Sequence, residues 1–387
     1  MNKPPSIYKT RFLVVCISSL FFSASFNMLI PELPAYLSIL GGAEYKGLII
    51  SLFTLTAAIS RPFSGKLTDT IGRKPVMIIG VLVSLVCGFL YPVMITVSGF
   101  LFLRLLHGFS TGFSPTAIAA YVADSIPKDR LGEALGIQGL CFSAGLALGP
   151  ALGSFIKLYY SFNVLFYSSS FIAFVSFLLI INLRESLLKT KFMKSSIFQF
   201  SRHDFFAKEV LPSATVTFFT YIAFGVILTI IADWSEHLGI INKGTFFIVF
   251  TLSSLCVRFI AGKTSDIYGR SIVIKMGLIV LILSLLIIGY FNNSIGLLIG
   301  SGFYGLAMGV LSPALNAWTI DMSHPDHRGK AMATMYISLE VGIGLGAFFS
   351  GWYYQDDMYR IPIIIYTCAL MAVLAFVYML FKPISRH

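Results

Sequence analysis

A chain of 387 residues with 57% hydrophobic and only 12% charged types is too apolar for a water-soluble domain, where about 25% of residues carry charge. Lipid must be its main solvent. The net charge of +11 suits basic cytoplasmic loops that follow the positive-inside rule, so the expected partner is a bilayer and not nucleic acid.

Crossing about 30 Å of hydrocarbon takes roughly 20 apolar residues per helix. Such runs occur at 11–37, 46–65, 75–96, 98–123, 131–156, 162–183, 210–234, 244–262, 271–291, 294–320, 329–353 and 361–381. None alternates as a barrel strand would. The expected fold is all-α, with twelve transmembrane helices. The first run follows Lys3 and Lys9 and resembles a signal peptide, but its apolar character continues to Leu29 and Ile30, so it reads as a spanning helix. With a cytoplasmic N-terminus, 21 of the 28 Lys and Arg residues fall on cytoplasmic segments and four on outer segments. The remaining three, Arg61, Arg104 and Arg258, lie within spans. Both termini are therefore expected inside, in the inner membrane of the cell.

The one long polar interruption divides the chain into halves at 1–183 and 210–387, joined by a basic linker at 184–209. The halves repeat at an offset of 197. Arg61, Gly65, Lys66, Asp69, Gly72, Arg73, Val76 and Gly80 match Arg258, Gly262, Lys263, Asp266, Gly269, Arg270, Val273 and Gly277. The offset continues through Gly145 and Gly149, which match Gly342 and Gly346. Two parallel six-helix repeats are an architecture of secondary transporters, with the substrate near the bilayer midplane.

Between the second and third runs, Gly65-Lys66-x-x-Asp69-x-x-Gly72-Arg73 forms a very short loop. Gly72 suits the tight turn, and Asp69 suits a helix start or a pair with Arg73. A plain surface turn would explain one copy. A second, with Asp266 and Arg270, points to a mechanical role. This loop is similar to the signature of the major facilitator superfamily, and the resemblance covers the whole chain. It implies two pseudo-twofold related six-helix bundles and a conformational latch at Gly65, Asp69, Gly72, Arg73, Asp266 and Arg270. Ser271 replaces Lys74 in the second copy, so that latch is expected to be weaker.

In the fifth run, Gly145, Gly149, Pro150 and Gly153 place small residues at spacing four with a helix-breaking proline. Tight packing alone would account for this pattern. It also resembles the antiporter motif of the superfamily's drug:proton exporters, and the second half has Ala347 in place of Pro150. In the fourth run, Arg104 precedes His107. An intramembrane Arg costs about 2.5–3.5 kcal/mol on insertion scales unless it reaches a polar cavity or snorkels to water. The family has a similar Arg motif, linked to proton coupling, with Gln usual where this chain has His107. Glu340 lies in the eleventh run, where desolvation raises a carboxyl pKa. It suits a proton carrier or a buried partner of an Arg. Asn27, Glu32, Asn316 and Tyr336 are candidates for lining a substrate site, although a solvated helix end also explains Glu32, as it does Asp233.

The five cysteines sit in separate apolar runs without metal or redox spacing. His324 and His327, in the cytoplasmic turn His-Pro-Asp-His, could suggest a metal but lack a third clear ligand. No nucleotide-binding loop is present, so a proton gradient is the expected energy source and no cofactor is expected. Nothing suggests an enzyme. The sequence thus points to a monomeric, proton-coupled exporter of a small organic molecule such as a drug, siderophore or metabolite. An uptake symporter or facilitator on the same fold is the alternative.

Overall fold

Several helix starts are set by single side chains. Thr96 accepts a hydrogen bond from the Gly99 amide at 3.1 Å, and Asn293 accepts one from the Gly296 amide at 2.7 Å. These residues are 197 positions apart and open equivalent helices. Ser161 does the same for the helix that follows it, accepting from Val164 at 3.4 Å. Each satisfies one of the orphan amides at a helix N-terminus.

The computed structural model describes residues 10–126, 131–187, 207–323 and 328–381, without the side chains of 131–133, 259–268 and 328–330. The elements are α1 (Thr10–Asn27), α2 (Leu33–Ile39), α3 (Lys46–Thr70), α4 (Arg73–Leu90), α5 (Val97–Ser125), α6 (Leu131–Tyr159), α7 (Phe162–Ile181), α8 (Leu211–His237), α9 (Thr245–Tyr268), α10 (Arg270–Tyr290), α11 (Ser294–Met322), α12 (Arg328–Tyr354) and α13 (Ile361–Phe381). Among the described residues all regular structure is helical, and ten helices are long and apolar enough to cross a membrane. The protein is a multi-pass membrane protein. Outward-facing Phe171, Leu283, Leu374 and Phe381 are more than 40% exposed, as lipid contact requires.

Two compact units are present. The first holds residues 1–29 and 59–200, and the second holds 30–58 and 201–387. Helix α3 contributes its first half to the second unit and its remainder to the first. Within the first unit, α1 packs on α6 and α7, and α4 on α5 and α7. Within the second, α8 packs on α12 and α13, and α10 on α11 and α13. The same pairings recur at the repeat offset, down to single contacts. A Cβ on Gly80 would meet Ser114 backbone at 2.5 Å, and one on Gly277 would meet the Leu311 side chain at 2.7 Å. Position 311 is position 114 plus the offset.

Candidate transport machinery

The α3–α4 turn is built around Gly72, whose φ of +117° is open to glycine. This backbone turns the chain straight from α3 into α4. Arg73 then reaches back to Asp69 at 2.8 Å and across to Asp124 at the end of α5, at 3.0 Å. Glu185, just beyond α7, accepts hydrogen bonds from the Arg73 and Lys74 amides, each at 3.0 Å. It thereby caps the positive end of α4. Nothing in the sequence pattern singled out Glu185; its only signal is an acidic residue within an otherwise basic segment. In the second unit Gly269 has φ +86°, and Arg270 pairs with Asp321 at 2.9 Å. The side chain of Asp266 lies outside the described residues. Gly65 faces open space, with no described atom within 4 Å of a Cβ built there.

The glycine stripe of α6 lies directly on α1. A Cβ on Gly145 would meet Ser23 Cβ at 2.7 Å, one on Gly149 would meet the Ala24 carbonyl at 2.8 Å, and one on Gly153 would collide with the Met28 carbonyl. Pro150 sits inside α6, where it removes one backbone donor and weakens the helix locally. In the second unit a Cβ on Gly342 would meet the Phe218 carbonyl of α8 at 2.6 Å, and one on Gly346 would collide with the Ile222 carbonyl. There Ala347 continues an unbroken helix.

Arg104 and His107 are both fully buried, at 1% and 0% exposure. This removes the snorkelling explanation for Arg104. They meet through Tyr91, whose hydroxyl accepts from the Arg104 guanidinium at 3.3 Å and lies 3.1 Å from His107 Nδ1. The other ring nitrogen lies 3.1 Å from Ser84 Oγ, and Ser84 is 3.2 Å from Ser25 of α1. A continuous polar chain thus links α5, α4 and α1 within the first unit. Tyr91 was not distinguishable in sequence from a lipid-facing aromatic.

Glu340 is buried in α12 at 7% exposure. The Tyr221 hydroxyl of α8 is hydrogen-bonded to Ser312 of α11 and lies within electrostatic reach of Glu340, Tyr336 and Arg258. Tyr221, Ser312 and Arg258, on three other helices of the second unit, thus join the two residues of α12 picked from sequence within electrostatic reach of the Tyr221 hydroxyl. Asn316 is half-buried in α11. Asn27 is buried at the end of α1, its amide donating to the Ser23 carbonyl at 2.8 Å. The solvated-end reading of Glu32 and Asp233 is wrong: they are only 4% and 7% exposed. Asp233 is held inside by a 2.8 Å ion pair with Lys46, a partner 187 positions away in sequence. Among the described residues no group of three or more His, Cys, Asp or Glu could hold a metal ion; His324 and His327 lie outside them.

A sequence model of the Major Facilitator Superfamily matches residues 15–205 and 213–387. The chain belongs to this superfamily. It is a small-molecule transporter and not an enzyme. Among the superfamily's members, it is 25% identical over 338 residues to Multidrug resistance protein 2 of Bacillus subtilis, covering 84% of each chain. It is 26% identical over 324 residues to the multi-drug resistance efflux pump PmrA of Streptococcus pneumoniae, covering 80% of each. It is 28% identical to the multidrug resistance protein MdtG of Klebsiella pneumoniae, over 84% of this chain and 82% of that one. The fold is shared with the human organic anion transporter MFSD10, at a TM-score of 0.75 and 20% identity over 97% of this chain and 100% of that one. It is shared also with a D-xylose-proton symporter, at a TM-score of 0.76 and 16% identity over 95% of this chain and 96% of that one.

Proposed function

We propose that this superfamily member is a proton-coupled exporter of a small organic molecule, working by alternating access as a monomer in the inner membrane. Its two six-helix halves, 1–183 and 210–387, are joined by the cytoplasmic segment 184–209, and both termini are cytoplasmic. The observation that carries the reading is the stripe of Gly145, Gly149 and Gly153, interrupted by Pro150 and packed backbone to backbone on α1. A stripe this close lets α6 and α1 move as a unit while Pro150 supplies a place to bend. The second unit keeps Gly342 and Gly346 but has no matching proline. That asymmetry follows the exporter pattern, and the multidrug resistance and efflux proteins among its sequence relatives support the same direction.

Glu340 takes the role of proton carrier, because it is a buried carboxylate within the Tyr221–Arg258–Tyr336 cluster. Arg104 and His107 form the matching polar centre of the first unit. Asn27, Glu32, Asn316 and Tyr336 contribute polar contacts to substrate. Gly65, Asp69, Gly72, Arg73, Asp266 and Arg270 form the latch. The test is transport by the purified protein in liposomes across an imposed pH gradient. Substrate driven out against a proton influx supports export. Substrate moving in with protons favours the uptake-symporter reading, and indifference to the gradient favours a facilitator.

A further inference from the structure

Lys46 is the first residue of α3, and Asp233 stands near the end of α8. Each charge therefore opposes the dipole of its own helix, since cations are disfavoured at helix N-termini and anions at C-termini. Both side chains are nonetheless buried, at 8% and 9% exposure. They neutralise each other at 2.8 Å, and a second carboxylate, Asp356, also pairs with Lys46. The Tyr354 hydroxyl donates to Asp233 at 3.3 Å, and the Lys46 ammonium lies 5.7 Å from the centre of the Tyr354 ring.

The surroundings are drawn tightly around these charges. Gln355 and Asp356 both have positive φ, +45° and +59°, a left-handed conformation that residues other than glycine rarely adopt. The ion pair to Lys46 is made from this turn, at Asp356. Beside it the α3 and α12 backbones touch. A Cβ on Gly47 would lie 3.0 Å from Gly351 Cα, and Ser51 Oγ donates to the Gly344 carbonyl at 2.8 Å. Gly47 and Ser51 thus fasten the opening turns of α3 along α12, and Lys46 ties them to α8 as well.

The same helix ends, 24 residues on, at the Asp69–Arg73 turn. A buried ion pair adds little net stability over apolar residues of similar size, and its best-attested use is as a specificity device or switch. We propose that Lys46, Asp233 and Asp356 form a breakable ionic lock at the end of α3 opposite the latch turn, and that its opening is an obligatory step of transport. This rests on the alternating-access reading above. Tyr354 positions Asp233 within the lock, and the strained Gln355–Asp356 turn is released when Lys46 leaves.

The experiment measures a distance rather than a flux. Spin labels on keto-bearing amino acids at Ile39 and Ile241, which are 70% and 79% exposed, report by pulsed electron resonance in the full-length protein in liposomes. Lys46→Met and Asp233→Asn are each expected at least to double the long-distance population. Asp356→Asn, a milder change at a half-exposed side chain, should shift it in the same direction. The charge-swapped pair Lys46→Asp with Asp233→Lys should restore the starting distribution. An unchanged distribution in Lys46→Met, Asp233→Asn and Asp356→Asn overturns the lock. Asp69→Asn, measured alongside, separates the two ideas. If it moves the distribution while the lock variants do not, only the lock is wrong. If no variant moves it, alternating access fails as well.

Discussion

The guanidinium of Arg73 meets the carboxylate of Asp124 at 3.0 Å, and 197 residues further along the chain Arg270 meets Asp321 at 2.9 Å. In both units the turn after a long helix is tied to the end of the helix two places on. Asp69 is 73% exposed while the Arg73 side chain is 12% exposed. The Asp69–Arg73 pair is therefore largely screened and contributes at most about 1 kcal/mol to stability. Asp69→Asn should leave the unfolding temperature in detergent almost unchanged, yet slow transport several-fold without altering the ratio of rates for two substrates. Arg73→Ala, which also removes the ion pair to Asp124, should lower the unfolding temperature by more than Asp69→Asn.

The α6 glycines divide sharply by surroundings. A side chain on Gly153 has nowhere to go except into the Met28 carbonyl, whereas Gly139 on the same helix has no atom within 4 Å of a built Cβ. Gly153→Ala should cost about 1–3 kcal/mol, the usual range for overpacking. Gly139→Ala should be neutral, or gain up to about 1 kcal/mol from helix propensity. Thermal unfolding of the two variants side by side checks this. Equal behaviour would mean that α6 does not sit on α1 as described.

Lys46 lends itself to a double-mutant cycle. Removing it leaves Asp233 buried beside Tyr354 without its cation, a loss of about 3–5 kcal/mol. Replacing both, as Lys46→Met with Asp233→Leu, should recover most of that loss, because an apolar pair of similar volume is about as stable as a buried ion pair. Equilibrium unfolding of the wild type, the two single variants and the double variant gives the coupling directly. A coupling near zero would show that the pair does not form in the protein.

The polar chain through Tyr91 makes a further distinction. Tyr91→Phe removes a hydroxyl that contacts both Arg104 and His107. Two hydrogen bonds are lost with almost no change of shape, at about 0.5–1.5 kcal/mol each and more for the charged partner. Transport by Tyr91→Phe should fall at least tenfold if this chain takes part in coupling. Binding of the same substrate, followed by tryptophan fluorescence, should change less than threefold.

How far the sequence reaches is clear from these cases. The turn at Gly72 and Arg73, its copy at Gly269 and Arg270, and the glycine stripe of α6 were all legible. Each is a local pattern whose repetition at a fixed offset gives it weight. Helix starts at Thr96 and Asn293 follow the same logic. The Lys46–Asp233–Asp356 cluster was not legible, because its members are separated by 187 and 310 positions and each alone reads as a charge at a solvated helix end. Tyr91, Tyr221 and Ser312 escaped for a different reason. In an apolar span, only the partner of a hydroxyl distinguishes a polar bridge from a residue that merely packs, and partners lie on other helices. Glu185 caps α4 from 112 positions away in sequence, and composition alone assigned it to a linker.

Proton-driven export turns most directly on the buried Glu340. Everted membrane vesicles, acidified inside by respiration, should accumulate a fluorescent amphipathic cation such as ethidium when they contain the wild-type protein. They should release it when the pH gradient is collapsed. Glu340→Gln vesicles with equal protein content should show no gradient-driven accumulation while still exchanging ethidium across the membrane. Accumulation by Glu340→Gln at the wild-type rate would remove Glu340 from proton coupling, and accumulation by the wild type that ignores the gradient would rule out proton-driven export.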